Sequence, residues 1–181
     1  MKQANILLVI SLLFILSCSS SITHEYYQEV GYIQTHITNV NDQYVSFANG
    51  MGVKTNRIII AVNSTPVLLV IENYTGSGYF YLRNNKVNFS INQSAADLDL
   101  LGVQRGRLHY LHDFNEDNRT ITLVDSTQWF IPVEEQWKQV KNWKSNPELL
   151  IPDNKPPKGE FFIHTPTSQS VLGINVEDIT Q

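Results

Sequence analysis

"STPVLLVIEN", residues 64–73, returns as "SNPELLIPDN", residues 145–154. Ser64, Pro66, Leu68, Leu69 and Asn73 recur as Ser145, Pro147, Leu149, Leu150 and Asn154, at an offset of 81. Each run opens near a proline, which a strand tolerates at its first position because no ladder N–H is needed there. The same offset carries Gly78, Phe80 and Leu82 of "GYFYL" onto Gly159, Phe161 and Ile163 of "GEFFI". Upstream, "YVSFANG" (44–50) answers "TITLVDS" (120–126) at an offset of 76, Val45 and Phe47 matching Ile121 and Leu123. Asn49 and Gly50 match Asp125 and Ser126; further up, Gly31, Ile33 and Asp42 answer Gly106, Leu108 and Asp117. Four blocks recurring in one order read as an internal duplication, and the extra residues of the second copy belong in loops.

Each copy is a set of short strands about ten residues apart with turn residues between them, the pattern of an all-β sandwich or small barrel. The expected fold is two tandem five- or six-stranded SH3-like or OB-like barrels with short helices. Closure removes exposed strand edges. Repeat 1 covers 28–92, a linker covers 93–104, and repeat 2 covers 105–181. The alternation predicts an inward face at Val45, Phe47, Leu68, Val70, Phe80 and Leu82, and at Ile121, Leu123, Leu149, Ile151, Phe161 and Ile163. Leu69 and Leu150 then point outward in both copies, as two barrels packed together would need; the linker helix is an equally good cover. That helix is predicted over 94–102, capped by Ser94, with Asp97 three residues on and Gly102 at its end. A second helical segment is predicted over 132–143, with Pro132 near its start and Glu134 and Glu135 in the first turn.

The first residues carry an address. "MKQAN" is a short cationic n-region, and Ile6 to Leu16 is an apolar run too short to span a bilayer. It ends in "ILSC", residues 15–18, which resembles a bacterial lipobox. The resemblance implies a signal peptide over 1–17, cleavage before Cys18, and acylation (palmitate among the chains) of Cys18 as the membrane anchor. Residues 18–27 would be a short tether. Ser19 follows the Cys, which resembles lipoproteins sorted to the outer membrane, facing the periplasm in an envelope that has one. Cys18 is the single Cys, so no intramolecular disulfide is available. The formal charge of −4 is mild and interspersed, which excludes nucleic acid as the expected partner.

"ITLVDSTQW" (121–129), followed by Trp143 and an apolar strand, resembles small bacterial β domains written I-T-L-x-D-G-S-x-W, with Ser126 in place of the usual Gly. The resemblance spans about thirty residues. It supports a barrel and implies no activity.

Motifs for chemistry are weak. His109 and His112 of "HYLH" are three apart on a strand and point to opposite sides. "DFNEDN" (113–118) begins like a calcium loop, but Asn118 replaces the turn Gly and Val124 the bidentate Glu, so it reads as a turn. No G-x-S-x-G and no phosphate-binding Gly loop occurs. No metal or cofactor is expected. The aromatic candidates for a partner surface are Tyr79, Tyr81 and Phe162, placed on the outward face; core packing for the tryptophans and inter-repeat packing for the Tyr pair is the competing reading. The expected function is a non-catalytic binding or structural module of the envelope, acting on an envelope protein or the cell wall. The alternative is an envelope hydrolase acting on peptidoglycan or glycan, with acids drawn from Asp99, Asp113, Asp125 and Glu135. That alternative requires at least two of them to converge in a cleft.

Overall fold

The computed structural model describes residues 27–61, 63–72, 76–145 and 147–179. Cys18 and the signal segment lie outside the described residues. The chain is predominantly β. Strands β1 (Gln28–Asn41), β2 (Tyr44–Phe47), β3 (Gly52–Thr55), β4 (Pro66–Glu72), β5 (Ser77–Leu82) and β6 (Asn85–Ser90) pair in the order β1-β2-β3-β6-β5-β4. Because β4 returns to pair with β1, from Val30↔Glu72 to His36↔Pro66, these six strands close into a barrel. Six further strands follow: β7 (Gln104–Asn115), β8 (Thr120–Leu123), β9 (Gln128–Phe130), β10 (Glu148–Pro152), β11 (Glu160–His164) and β12 (Gln169–Asn175). They pair in the order β7-β8-β9-β12-β11-β10, and β10 also pairs with β7. β1 and β7 are antiparallel neighbours, Gln28↔Leu108 through Tyr32↔Gln104, so one continuous ladder runs through both halves.

The registers of the two halves correspond strand by strand. β1 bulges between Ile37 and Asn39 against β2, and β7 bulges between Leu111 and Asp113 against β8. Matching those bulges sets Ile37 on Leu111, Phe47 on Leu123 and Val45 on Ile121. Val53 then falls on Trp129, Leu68 on Leu150, Phe80 on Phe162 and Val87 on Val171. The offset is 74 for β1/β7, 76 for β2/β8 and β3/β9, 82 for β4/β10 and β5/β11, and 84 for β6/β12. Every offset is even.

This corrects the sequence reading. The offset of 76 for YVSF and TITL holds, but those of 75 and 81 are each one residue off. A one-residue slip sends every side chain of a strand to the opposite face. Phe80 and Leu82 do face the first core, but their assumed counterparts Phe161 and Ile163 do not: Phe161 is 40 % exposed and Ile163 lies between the halves. Leu149 and Ile151 do face the second core, whereas Leu68 and Val70 lie between the halves. Leu69, expected outward, is in the first core.

Three apolar clusters result. The first gathers Ile37, Phe47, Met51, Leu69, Phe80 and Phe89 inside the barrel. The second gathers Leu111, Trp129, Trp137, Trp143, Leu149 and Phe162. The third joins the halves: Val30, Tyr32, Leu68, Val70 and Tyr79 meet Leu108, Leu150 and Ile163. The strands at the junction are therefore apolar on both faces.

Helix α1 (Ala95–Leu100) carries the expected cap: Ser94 Oγ accepts from the Asp97 N–H, and the Asp97 carboxylate accepts from the Ser94 N–H at 3.0 Å. Gly102 ends that segment in the left-handed region, φ +80°. Helix α2 (Glu134–Val140) runs into a 3₁₀ turn (Lys141–Ser145), as the 132–143 segment predicts, and buries Trp137, Val140 and Trp143 in the second core. Helix α3 (Val176–Ile179) follows β12 and buries no residue. No helix among the described residues is long and apolar enough to cross a membrane.

Candidate functional site

Among the described residues, two places combine buried polar groups with ion pairs. The first is the junction. Glu148, at the start of β10, is buried, and its Oε1 accepts hydrogen bonds from the Tyr79 hydroxyl and the Thr165 hydroxyl, each at 2.6 Å. Its Oε2 lies 3.5 Å from the Lys86 ammonium, which also sits 3.5 Å over the Tyr79 ring. A carboxylate taken out of water needs such partners. Burial, then the adjacent Glu148 charge, pushes the Tyr79 hydroxyl far above the ordinary tyrosine range. The same two causes, in the same order, raise Tyr110. The network therefore keeps Tyr79 as a donor, clamping β5 of one half to β10 of the other.

That geometry corrects the aromatic surface read from sequence. Tyr79 is buried in the junction, and Tyr81 is half-buried against the same cluster, its ring edge-on to Tyr79 at 5.9 Å. Phe162 is fully buried in the second core, edge-on to Trp129 at 5.2 Å. Phe80 and Phe162 are the equivalent core residues, so Phe162 never shares the face of Tyr79 and Tyr81.

The second place is the end of the second half at which β7, β11 and the β8–β9 turn meet. His109 is buried, and neither ring nitrogen has a hydrogen-bond partner among the described residues. Its Nδ1 is 3.8 Å from Asp125 Oδ2, and Tyr27 stacks over it with ring centres 5.6 Å apart. Arg107, two residues earlier on the same face, lies 3.6 Å from both Glu160 and Asp153. Lys155 approaches Glu160 to 2.7 Å. Asp125 is held by its own turn, its Oδ1 accepting from the Thr127 N–H (3.0 Å) and hydroxyl (2.7 Å). Burial pulls the His109 pKa below the usual imidazole value; Asp125 and Glu160 oppose that shift and Arg107 adds to it. A buried imidazole beside charges changes its protonation when the local charge changes.

The four acids considered for hydrolysis stand on four elements: Asp99 on α1, Asp113 on β7, Asp125 in the β8–β9 turn and Glu135 on α2, where it pairs with Lys138 at 2.8 Å. Asp99, Asp113 and Glu135 are exposed. No group of three His, Cys, Asp or Glu residues among the described residues is arranged to hold a metal ion. "DFNEDN" closes β7 and enters the β7–β8 turn, with Asn115 Oδ1 accepting from the Asp117 and Asn118 N–H groups. His112 is exposed and His109 buried, as opposite faces of a strand require.

Sequence reasoning missed Arg107, His109 and Glu160 as a group, and Glu148 as a clamp. The signal was present in the corrected register. Arg107 and His109 replace Ile33 and Thr35, and Glu160 replaces Gly78. A Cβ on Gly78 would run into the Val70 carbonyl and the Phe89 ring, and at the register position of Phe89 the second half has Gly173. Comparison with protein families, curated proteins and solved structures found no match.

Proposed function

We propose that this chain is a lipoprotein of the bacterial envelope, anchored through Cys18, and that it works as a non-catalytic binding or structural module. We further propose that it is a tandem pair of six-stranded barrels that arose by internal duplication. The matched bulges and the even offsets through all six strand pairs support the duplication. The observation that carries the functional reading is the use made of Glu148, Tyr79 and Thr165. These buried polar groups, which an enzyme would gather in a cleft, are spent on fixing one half against the other. Such a rigid pair is suited to presenting a surface. The lipobox, the short tether and Ser19 favour a site close to the membrane, on the periplasmic face of an outer membrane where one exists. The partner class is an envelope protein or the cell wall. A pull-down from detergent-solubilised envelope with the acylated protein is expected to recover a partner in stoichiometric yield. Recovery of nothing above a resin-only control would overturn the binding reading.

One observation favours the hydrolase alternative: Asp125 faces His109 at 3.8 Å beside Arg107 and Glu160. Release of soluble fragments from labelled peptidoglycan, abolished by Asp125→Asn, would establish it in place of the binding reading.

A further inference from the structure

We infer that residues 57–60, between β3 and β4, together with the β5–β6 turn, are a second membrane contact that takes the anionic headgroup surface of a lipid bilayer. The inference rests on the tether reading only for proximity. Ile58 and Ile60 are 67 % and 94 % exposed, while Ile59 between them is buried in the first core. The loop is held in this posture. The Ile59 N–H donates to the Asp42 carbonyl at 3.1 Å, the Thr55 hydroxyl donates to the Arg57 carbonyl at 2.7 Å, and Arg57 donates to the Lys86 carbonyl at 3.0 Å. Two aliphatic side chains thus project on a pinned backbone, where their exposure gains nothing for the fold. They border a shallow groove with Arg57 and Arg83, and Arg83 sits in a left-handed turn, φ +48°, that carries it beside Ile60.

Charge selects the occupant. The chain also exposes Leu100, at 88 %, and Ile179, at 52 %. Leu100 follows Asp97 and Asp99, and Ile179 follows Glu177 and Asp178. An anionic surface repels both of those tips, as it repels a chain of net charge −4. Of these three aliphatic tips, the arginine-flanked isoleucines combine apolar side chains with the opposite sign, and the attraction acts within a Debye length of about 8 Å.

The test uses the full acylated chain in vesicles of phosphatidylcholine with or without phosphatidylglycerol. Acylation consumes the single Cys, so Ile60→Cys and Leu100→Cys each offer one thiol for an environment-sensitive dye. The dye at 60 is expected to shift to the blue and to be quenched by a bilayer-borne quencher in phosphatidylglycerol vesicles. The dye at 100 is expected to stay aqueous. Arg83→Glu, at an exposed position, should weaken insertion by at least about fivefold with no change in Tm, since each cation near an anionic surface is worth about that factor. A dye at 60 that stays aqueous on vesicle-bound protein overturns the inference, as does insertion indifferent to phosphatidylglycerol and to Arg83→Glu. If Cys18 also takes dye, the tether reading has failed. The loop is then judged on the difference between the 60 and 100 variants when phosphatidylglycerol vesicles are added to the unanchored chain.

Discussion

Asn49 and Asp125 occupy the same turn in the two halves, and what they face sets the halves apart. Both turns close on the same bonds: Gly50 N–H to the Phe47 carbonyl and Ser126 N–H to the Leu123 carbonyl, with Phe47 and Leu123 donating to Met51 and Thr127. In the first half the amide of Asn49 donates to the Leu101 carbonyl at 3.2 Å, and α1 lays Leu98 into the core beside Met51 and Val103. That end is apolar. In the second half Asp125 faces His109, and Arg107, Glu160 and Lys155 complete a charged cluster under Tyr27. One strand frame accepts either furnishing because the registers set positions and leave the side chains free. The difference places a buried imidazole among charges in the second half.

The equivalence of the halves breaks most visibly at the core. Phe80→Ala and Phe162→Ala should each cost about 3 to 5 kcal/mol, the usual range for truncating a buried Phe, while Phe161→Ala should change little. Thermal melts of the three variants check this. If Phe161→Ala were the damaging change, the offset of 82 would be wrong and that of 81 right. At the junction, Glu148→Ala strands the buried Tyr79 hydroxyl and leaves the Thr165 hydroxyl the Glu148 carbonyl at 3.5 Å, and should cost about 1 to 3 kcal/mol. Thr165→Val beside it measures the smaller of the two losses in the same urea titration.

His109 should separate the halves by pH. Its folded pKa is depressed below the ordinary value of 6.5, so the unfolded chain takes up the proton first. Its contribution to stability is therefore complete above about pH 6.5 and falls as the pH drops through that value towards the lower folded pKa. Urea midpoints between pH 7.5 and pH 5 should decline, and His109→Gln should flatten the decline. An unchanged slope in the variant would assign the loss to the carboxylates. The smallest effect belongs to the shared turn. Ser126 has φ +70° where its counterpart Gly50 has φ +88°. Ser126→Gly should relieve left-handed strain and leave stability equal or higher by about 0.5 to 1 kcal/mol, and Gly50→Ser should lower it by a similar amount. Paired melts would show opposite signs.

Where one face of a strand meets water, the sequence could be read in register. "YVSF" and "TITL" alternate apolar and polar residues, and their offset of 76 stands. At the junction the reading slipped. Leu68-Leu69 and Leu149-Leu150 are apolar on both faces, because one face fills the core of its own half and the other fills the seam between the halves. In β11 the polar residues mislead: Glu160 and His164 share the buried face of Phe162, while Phe161 is the exposed one. The helices were legible because caps and first-turn acids act locally. The charged cluster was not, since Tyr27, Arg107, His109, Asp125 and Glu160 come together only when β7, β11 and a distant turn meet.

The claim at the centre of this account is that the two halves are locked into one unit by the shared ladder of β1 and β7, the third apolar cluster and the Glu148 clamp. Scanning calorimetry reads that directly. The account expects one two-state transition, with calorimetric and van't Hoff enthalpies equal, that Phe80→Ala and Phe162→Ala both shift as a whole. Two resolved transitions, with each substitution moving only the one from its own half, would contradict it.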